Sequence, residues 1–195
     1  MGSSRDVDHD LVRAFVGQRS VSAFRELYDR YRDKVYATAF QITGDGNEAL
    51  DVAQEVFLRV FGKIDRFRFE SSFSSWLYRL TVNLATDFRR KRKVRRMAPL
   101  EVRDSDGEVR ECPVADGNDG PERRAVAHEL SDGVMAALQS LSPKLRAVVV
   151  LRYLQGLSYE EVGEVIGTPV GTVKSRLNRA HEKLKPLLEH MSGPA

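Results

Sequence analysis

Two stretches of the sequence assemble side chains suited to holding a polymer rather than breaking a bond. From Phe67 to Arg96, a run of aromatic residues leads into Arg89-Arg-Lys-Arg-Lys-Val-Arg-Arg96, seven cations in eight positions. Aromatic faces stack on unpaired bases, and neighbouring cations hold a sugar-phosphate strand. Near the other end, Gly171, Thr172, Lys174, Ser175, Asn178 and Arg179 fall on the outer face of a predicted helix. Short polar groups of this kind reach base edges, and the cations reach phosphates.

Catalytic constellations do not emerge. His9, His128, His181 and His190 are scattered without metal-ligand spacing, and no glycine-rich phosphate loop occurs. The single cysteine, Cys112, forms no internal disulfide, and as a lone linker thiol it reads as inert. No catalytic residue, metal, cofactor or small-molecule substrate is expected.

The elements that must position these groups are helices. Hydrophobic residues make up 42% and charged residues 30% of the 195, as in a soluble globular protein. No stretch approaches the ~20 apolar residues of a membrane span, and the polar start MGSSRDVDHD has no apolar signal core. A cytoplasmic protein is expected. The net charge is only +3, but after the basic run, residues 101–123 carry eight acidic residues against three arginines. Locally concentrated cation is the footprint of phosphate binding.

Residues 10–96 carry helical periodicity almost throughout. Leu11, Ala14 and Phe15, then Phe24, Leu27, Tyr28, Tyr31, Val35 and Ala39, predict two helices broken near Gly17–Ser20. Ala49, Val52, Ala53, Val56, Phe57, Val60, Phe61 and Ile64 predict a third, and Ser74–Arg90 a fourth that buries Leu77, Leu80, Thr81, Leu84 and Phe88. Phe73, Trp76 and Leu77 are expected in the core. Pro99, Pro113 and Pro121 then break the pattern within an acidic stretch, read as an extended linker. No run alternates apolar and polar residues as a strand does. The expectation is an all-α chain of two small helical domains, 1–96 and 126–195, tethered by residues 97–125.

Three helix starts are legible in the C-terminal part: Ser142-Pro143, the capping box Ser158 to Glu161, and Thr168-Pro169. The middle helix ends at Gly167, where positive φ suits a turn, and the next begins at once, which makes a helix-turn-helix. Gly163 allows the two helices to approach, leaving room for nothing larger than alanine. Val173 and Leu177 face inward. Thr168 joins the outer-face residues as a candidate duplex contact, on the helix expected to enter the major groove. On the helix over 49–64, Leu50, Gln54 and Leu58 form a second stripe opposite the core, flanked by Asp51 and Glu55, which suits docking onto a basic partner helix.

Asp51-Val-Ala-Gln-Glu-Val-Phe-Leu-Arg-Val-Phe61, the segment Phe67–Asn83 with its basic continuation, and SYEEVGEVIGTPVGTVKSRLNRA at 158–180 together resemble the extracytoplasmic-function group of sigma-70-type factors. The resemblance implies transcription initiation with core RNA polymerase. It implies a region-2-like domain over 1–96 and a region-4-like domain over 126–195. By it, Asp51, Gln54, Glu55 and Leu58 contact the clamp helices of the polymerase's largest subunit. Phe67, Ser71, Ser72, Leu80 and Asn83 form a pocket for a base extruded from the minus-ten strand, and Arg79, Arg89, Arg90 and Arg92 hold its phosphates. Thr168, Gly171, Thr172, Lys174, Ser175, Asn178 and Arg179 meet the minus-35 element. The flap of the second-largest subunit and an anti-sigma protein, often membrane-bound, are the further partners implied. Where many relatives have glycine after the Phe-Arg pair, this chain has Phe69, so the loop shape is expected to differ.

Two rivals are distinguishable. A free-standing helix-turn-helix regulator needs a dimer surface or ligand pocket at its N-terminus, and neither is evident. A recombinase-like enzyme needs a catalytic cluster, and neither the scattered histidines nor the linker carboxylates form one.

Overall fold

The structure, a computed structural model, describes residues 4–97 and 133–191. Among these it is all-α, with no strand. Residues 98–125 of the expected linker, with Cys112, and also His128, lie outside the described residues.

Among the described residues the N-terminal part is four α-helices, α1 Ser4–Gln18, α2 Val21–Thr43, α3 Gly46–Lys63 and α4 Phe73–Met97, with a 3-10 turn Ile64–Arg66 after α3. Each joint has a local cause. Ser20 caps α2 through the amide of Ala23, and Asp45 caps α3 through Asn47 and Glu48 at 3.0 Å each. Between these helices, Gly44 takes φ 72, the left-handed stop in which its amide returns to the Phe40 carbonyl. The fourth helix begins one residue earlier than periodicity indicates, because Ser72 caps it by accepting from the Ser75 amide at 3.0 Å. It also runs to Met97 rather than Arg90, so the basic run continues the helix.

Along α3, Ala49, Val52, Val56, Val60 and then Ile64 are fully buried, as the stripe predicts. Phe61 departs from it, being 56% exposed. At about 100° per residue it lies at the margin of the stripe, where it packs edge-on against Phe24 and tilted against Phe15. Phe73 and Leu77 are buried and Trp76 packs beside them, as expected.

The C-terminal part comprises a helix over residues 133–140 (α5), α6 Pro143–Val149, a π-helical turn Val150–Leu154, α7 Tyr159–Ile166 and α8 Val170–Met191. Both halves of the capping box form: Ser158 accepts from the Glu161 amide at 3.1 Å, and Glu161 accepts from the Ser158 amide at 2.8 Å. The other two starts rely on proline instead. Ser142 makes no side-chain cap bond, and the Thr168 hydroxyl is buried without a partner.

The two halves share one continuous hydrophobic core. Tyr78 on α4 donates to Gln155 at 2.8 Å, Arg79 donates to the Glu164 carbonyl of α7, and Gln139 donates to the Gln41 carbonyl at 3.1 Å. Arg146 on α6 is wholly buried. Its guanidinium donates to the carbonyls of Leu138, Gln139 and Leu141, to the Gln139 side chain and, at 2.7 Å, to the Ile42 carbonyl of α2. All these acceptors are neutral. The carbonyl-rich ends of α2 and α5 therefore stabilise the buried cation that no carboxylate balances among these bonds.

Candidate nucleic-acid interface

The helix-turn-helix is set by one contact that admits no side chain. A β-carbon at Gly163 would lie 2.8 Å from the Thr168 carbonyl oxygen, so even alanine is excluded, a tighter limit than the spacing predicts. The Thr168 amide donates to the Gly163 carbonyl at 3.0 Å, and Gly167 turns the chain with φ 65. Val173 and Leu177 are buried beneath, which leaves Gly171, Lys174, Ser175, Asn178 and Arg179 exposed and Thr172 half-exposed on one side of α8. Thr168 is set apart from them, its hydroxyl turned into the joint.

The minus-ten candidates separate into two groups. Phe67 is only 7% exposed, packed with its ring centroid 4.9 Å from Phe69, 5.6 Å from Trp76 and 6.0 Å from Phe73. Ser72 is buried as the cap of α4, and its hydroxyl also meets those of Ser74 and Ser75. These two side chains build the loop rather than line its surface. Ser71 and Leu80 are half-buried and Asn83 is exposed on α4. The arginines differ as well. Arg89 reaches the Ile42 carbonyl, and burial together with neighbouring Arg92 lowers its pKa. Arg92 pairs with Asp45 at 3.4 Å and Glu48 at 3.3 Å, tying α4 to the start of α3. Arg90 makes one exposed pair with Asp87, of a kind worth under about 1 kcal/mol and easily exchanged for a phosphate.

On α3, Asp51, Gln54, Glu55 and Leu58 all line one groove of about 410 Å³. Its opposite wall is α4, through Leu84, Asp87, Phe88 and Lys91, which sequence reasoning did not assign to this face. The four-residue step Asp87–Lys91 was the available signal. Leu58, 68% exposed, and Leu50, 46% exposed, give the α3 face an apolar surface between carboxylates.

Comparison with known proteins fits this arrangement. The family model for sigma-70 region 2 matches residues 27–95, and that for sigma-70 region 4 matches residues 131–184. The chain is 37% identical over 169 residues to the ECF RNA polymerase sigma factor SigW of Bacillus subtilis, spanning 87% of this chain and 90% of that one. It is 35% identical over 176 residues to the ECF RNA polymerase sigma-E factor of Escherichia coli, spanning 85% and 88%. Among solved structures, CnrH in complex with the cytosolic domain of CnrY superposes with a TM-score of 0.69 at 25% identity, covering 95% of this chain and 99% of that one.

Proposed function

This chain belongs to the extracytoplasmic-function group of sigma-70 RNA polymerase sigma factors, and from that premise we propose how its faces divide the work of promoter recognition. The α3 groove, through Asp51, Gln54, Glu55 and Leu58, receives the clamp helices of the largest polymerase subunit. The flap of the second-largest subunit engages the C-terminal half, region 4. Asn83, with Ser71, Leu80, Arg79 and Arg90 around it, holds the separated minus-ten strand. Lys174, Asn178 and Arg179 meet the minus-35 duplex, with Thr172 and Ser175 beside them.

The two DNA-binding faces must part for this to happen. Helices α4, α7 and α8 pack side by side at interaxial distances of about 8–10 Å, so the axes of α4 and α8 lie within about 20 Å of one another. The nominal 25 base pairs between the two promoter elements span about 85 Å at ~3.4 Å per pair. The closed form is therefore the unengaged protein, and polymerase binding separates its halves. Opening of DNA follows from differential affinity: tighter holding of the melted strand than of the duplex shifts the equilibrium. The chain performs no covalent chemistry and acts in the cytoplasm, where an anti-sigma protein occupies the polymerase-binding faces.

The observation that carries this reading is the tight α7–α8 joint, which fixes a row of exposed polar and cationic side chains above a buried Val173–Leu177 seam. Run-off transcription with purified core polymerase over genomic fragments tests it. Discrete transcripts that need both proteins are expected. Strong specific footprints by the isolated chain, unchanged by core, would make it a free-standing regulator instead.

A further inference from the structure

Among the described residues only Arg19 and Phe69 take a positive φ without being glycine, 51° and 59°. Such a backbone is strained in a side-chain-bearing residue and persists where its surroundings over-determine it. Both residues lie where α1 meets the loop between α3 and α4. Arg19, just beyond α1, holds Asp65 at the start of the loop with two bonds, 2.9 and 3.3 Å. Phe69, inside the loop, is met edge-on by the His9 ring at 5.2 Å and covered by the Arg13 guanidinium at 5.0 Å. His9 Nε2 also donates to the Ser71 carbonyl at 3.2 Å. The helix itself is anchored from beneath, since buried Asp8 accepts from Arg30 at 2.7 Å and from the Tyr31 hydroxyl. The region 2 match begins only at residue 27, so His9, Arg13 and Arg19 lie outside it while Asp65, Phe69 and Ser71 lie within.

We propose that α1 is part of the strand-holding unit, with His9 and Arg13 as positioning residues and Phe69 as a specificity-determining residue for the base captured beside Ser71. The inference rests on the minus-ten reading above. Extruding a base costs its stacking and pairing, and a loop already held in shape spends none of the compensating contact energy on its own ordering. Phe69, held by His9, Arg13 and Phe67, fixes the loop two residues before Ser71, where a glycine would leave the backbone free. His9 fixes the carbonyl that sets the direction of the Ser71 side chain.

The test uses holoenzyme reconstituted from the full chain and core polymerase, selecting from a single-stranded DNA pool randomised at eight positions. Bound strands are sequenced for the wild type, Phe69→Gly, His9→Leu, His9→Gln and Asn83→Ala. His9→Gln retains a donor for the Ser71 carbonyl and His9→Leu does not. We expect Phe69→Gly and His9→Leu each to change the base preference at one position by fivefold or more, while His9→Gln keeps the wild-type profile and all assemble with core normally. An unchanged profile in either Phe69→Gly or His9→Leu, with Asn83→Ala altered, overturns the clasp alone. If Asn83→Ala is silent too, the minus-ten reading falls and the clasp with it.

Discussion

Asn83 presents both a donor and an acceptor from the solvent side of α4, and that pairing is what discriminates one base edge from another. Loss of such a contact is worth about 1–3 kcal/mol of discrimination. Asn83→Ala is therefore expected to lower minus-ten selectivity about tenfold or more in competitive transcription while leaving core affinity, measured by fluorescence titration, unchanged. At Gly163 the expectation is steric. A methyl group 2.8 Å from the Thr168 carbonyl forces α7 and α8 apart, so Gly163→Ala should cost about 1–3 kcal/mol, seen as a lower thermal midpoint, together with weaker minus-35 binding in gel-shift assays with holoenzyme. At this scale the sequence was legible for residue type but not for allegiance. Phe67 and Asn83 both suit base contact by chemistry, yet the ring is claimed by Trp76, Phe69 and Phe73, whereas the amide is left in solvent. Nothing in local spacing separates the two. The left-handed backbone at Phe69 has no signal in residue type, since a phenylalanine ordinarily avoids it.

Helix α3 has two working faces, and both were visible in periodicity because a stripe repeats every three to four residues. One buries Val52, Val56 and Val60, and the other exposes Leu50 and Leu58. What periodicity along one helix cannot supply is the neighbour. The groove beside Asp51 is completed by Asp87, Phe88 and Lys91 on α4, a contact between segments more than thirty residues apart. Asp51→Arg places a cation on the face proposed to receive the clamp helices, and a like-charge clash with a basic partner costs several kcal/mol. We expect at least tenfold weaker core binding with an unaltered circular-dichroism melt. Normal assembly would remove this face from the polymerase interface. The capping box of α7 was equally legible, being a four-residue pattern whose two bonds are local. Thr168 followed the same rule and failed it, since Pro169 supplies the carbonyl to which Thr172 and Val173 bond while the hydroxyl is shut inside the joint.

The packing of the two halves was not legible at all, and the reason lies in its acceptors. Arg146 reads as one more helical cation, and its partners are backbone carbonyls, which every residue possesses. Only the assembled fold brings the ends of α2 and α5 to it. Arg146→Met should leave several buried carbonyls unmatched and destabilise the protein by about 3–5 kcal/mol, read as a lower urea midpoint. The buried tyrosines carry an alkaline signature, Tyr78 at this interface and Tyr31 within the N-terminal half. Burial, with a smaller contribution from Asp8, pushes the Tyr78 phenol up to about 12, and burial with the bond to Asp8 raises Tyr31 further. Because the folded values exceed the ordinary 10, their stabilisation is complete below pH 10 and declines as pH rises through the raised values. Tyr78→Phe should flatten part of the loss between about pH 10 and 12 in urea titrations, with Tyr31 supplying the remainder.

On the proposed reading the molecule is closed in solution, opens on polymerase and gains its DNA-reading ability from that partner. The most direct measurement is permanganate reactivity of minus-ten thymines on a promoter fragment recovered from the run-off screen, with the chain alone, core polymerase alone, and both together. Reactive thymines only in the mixture, lost again with Asn83→Ala, are the predicted result. Equal reactivity with either protein alone, or a mixture that transcribes while Asn83→Ala opens the strand as well as wild type, would contradict the account.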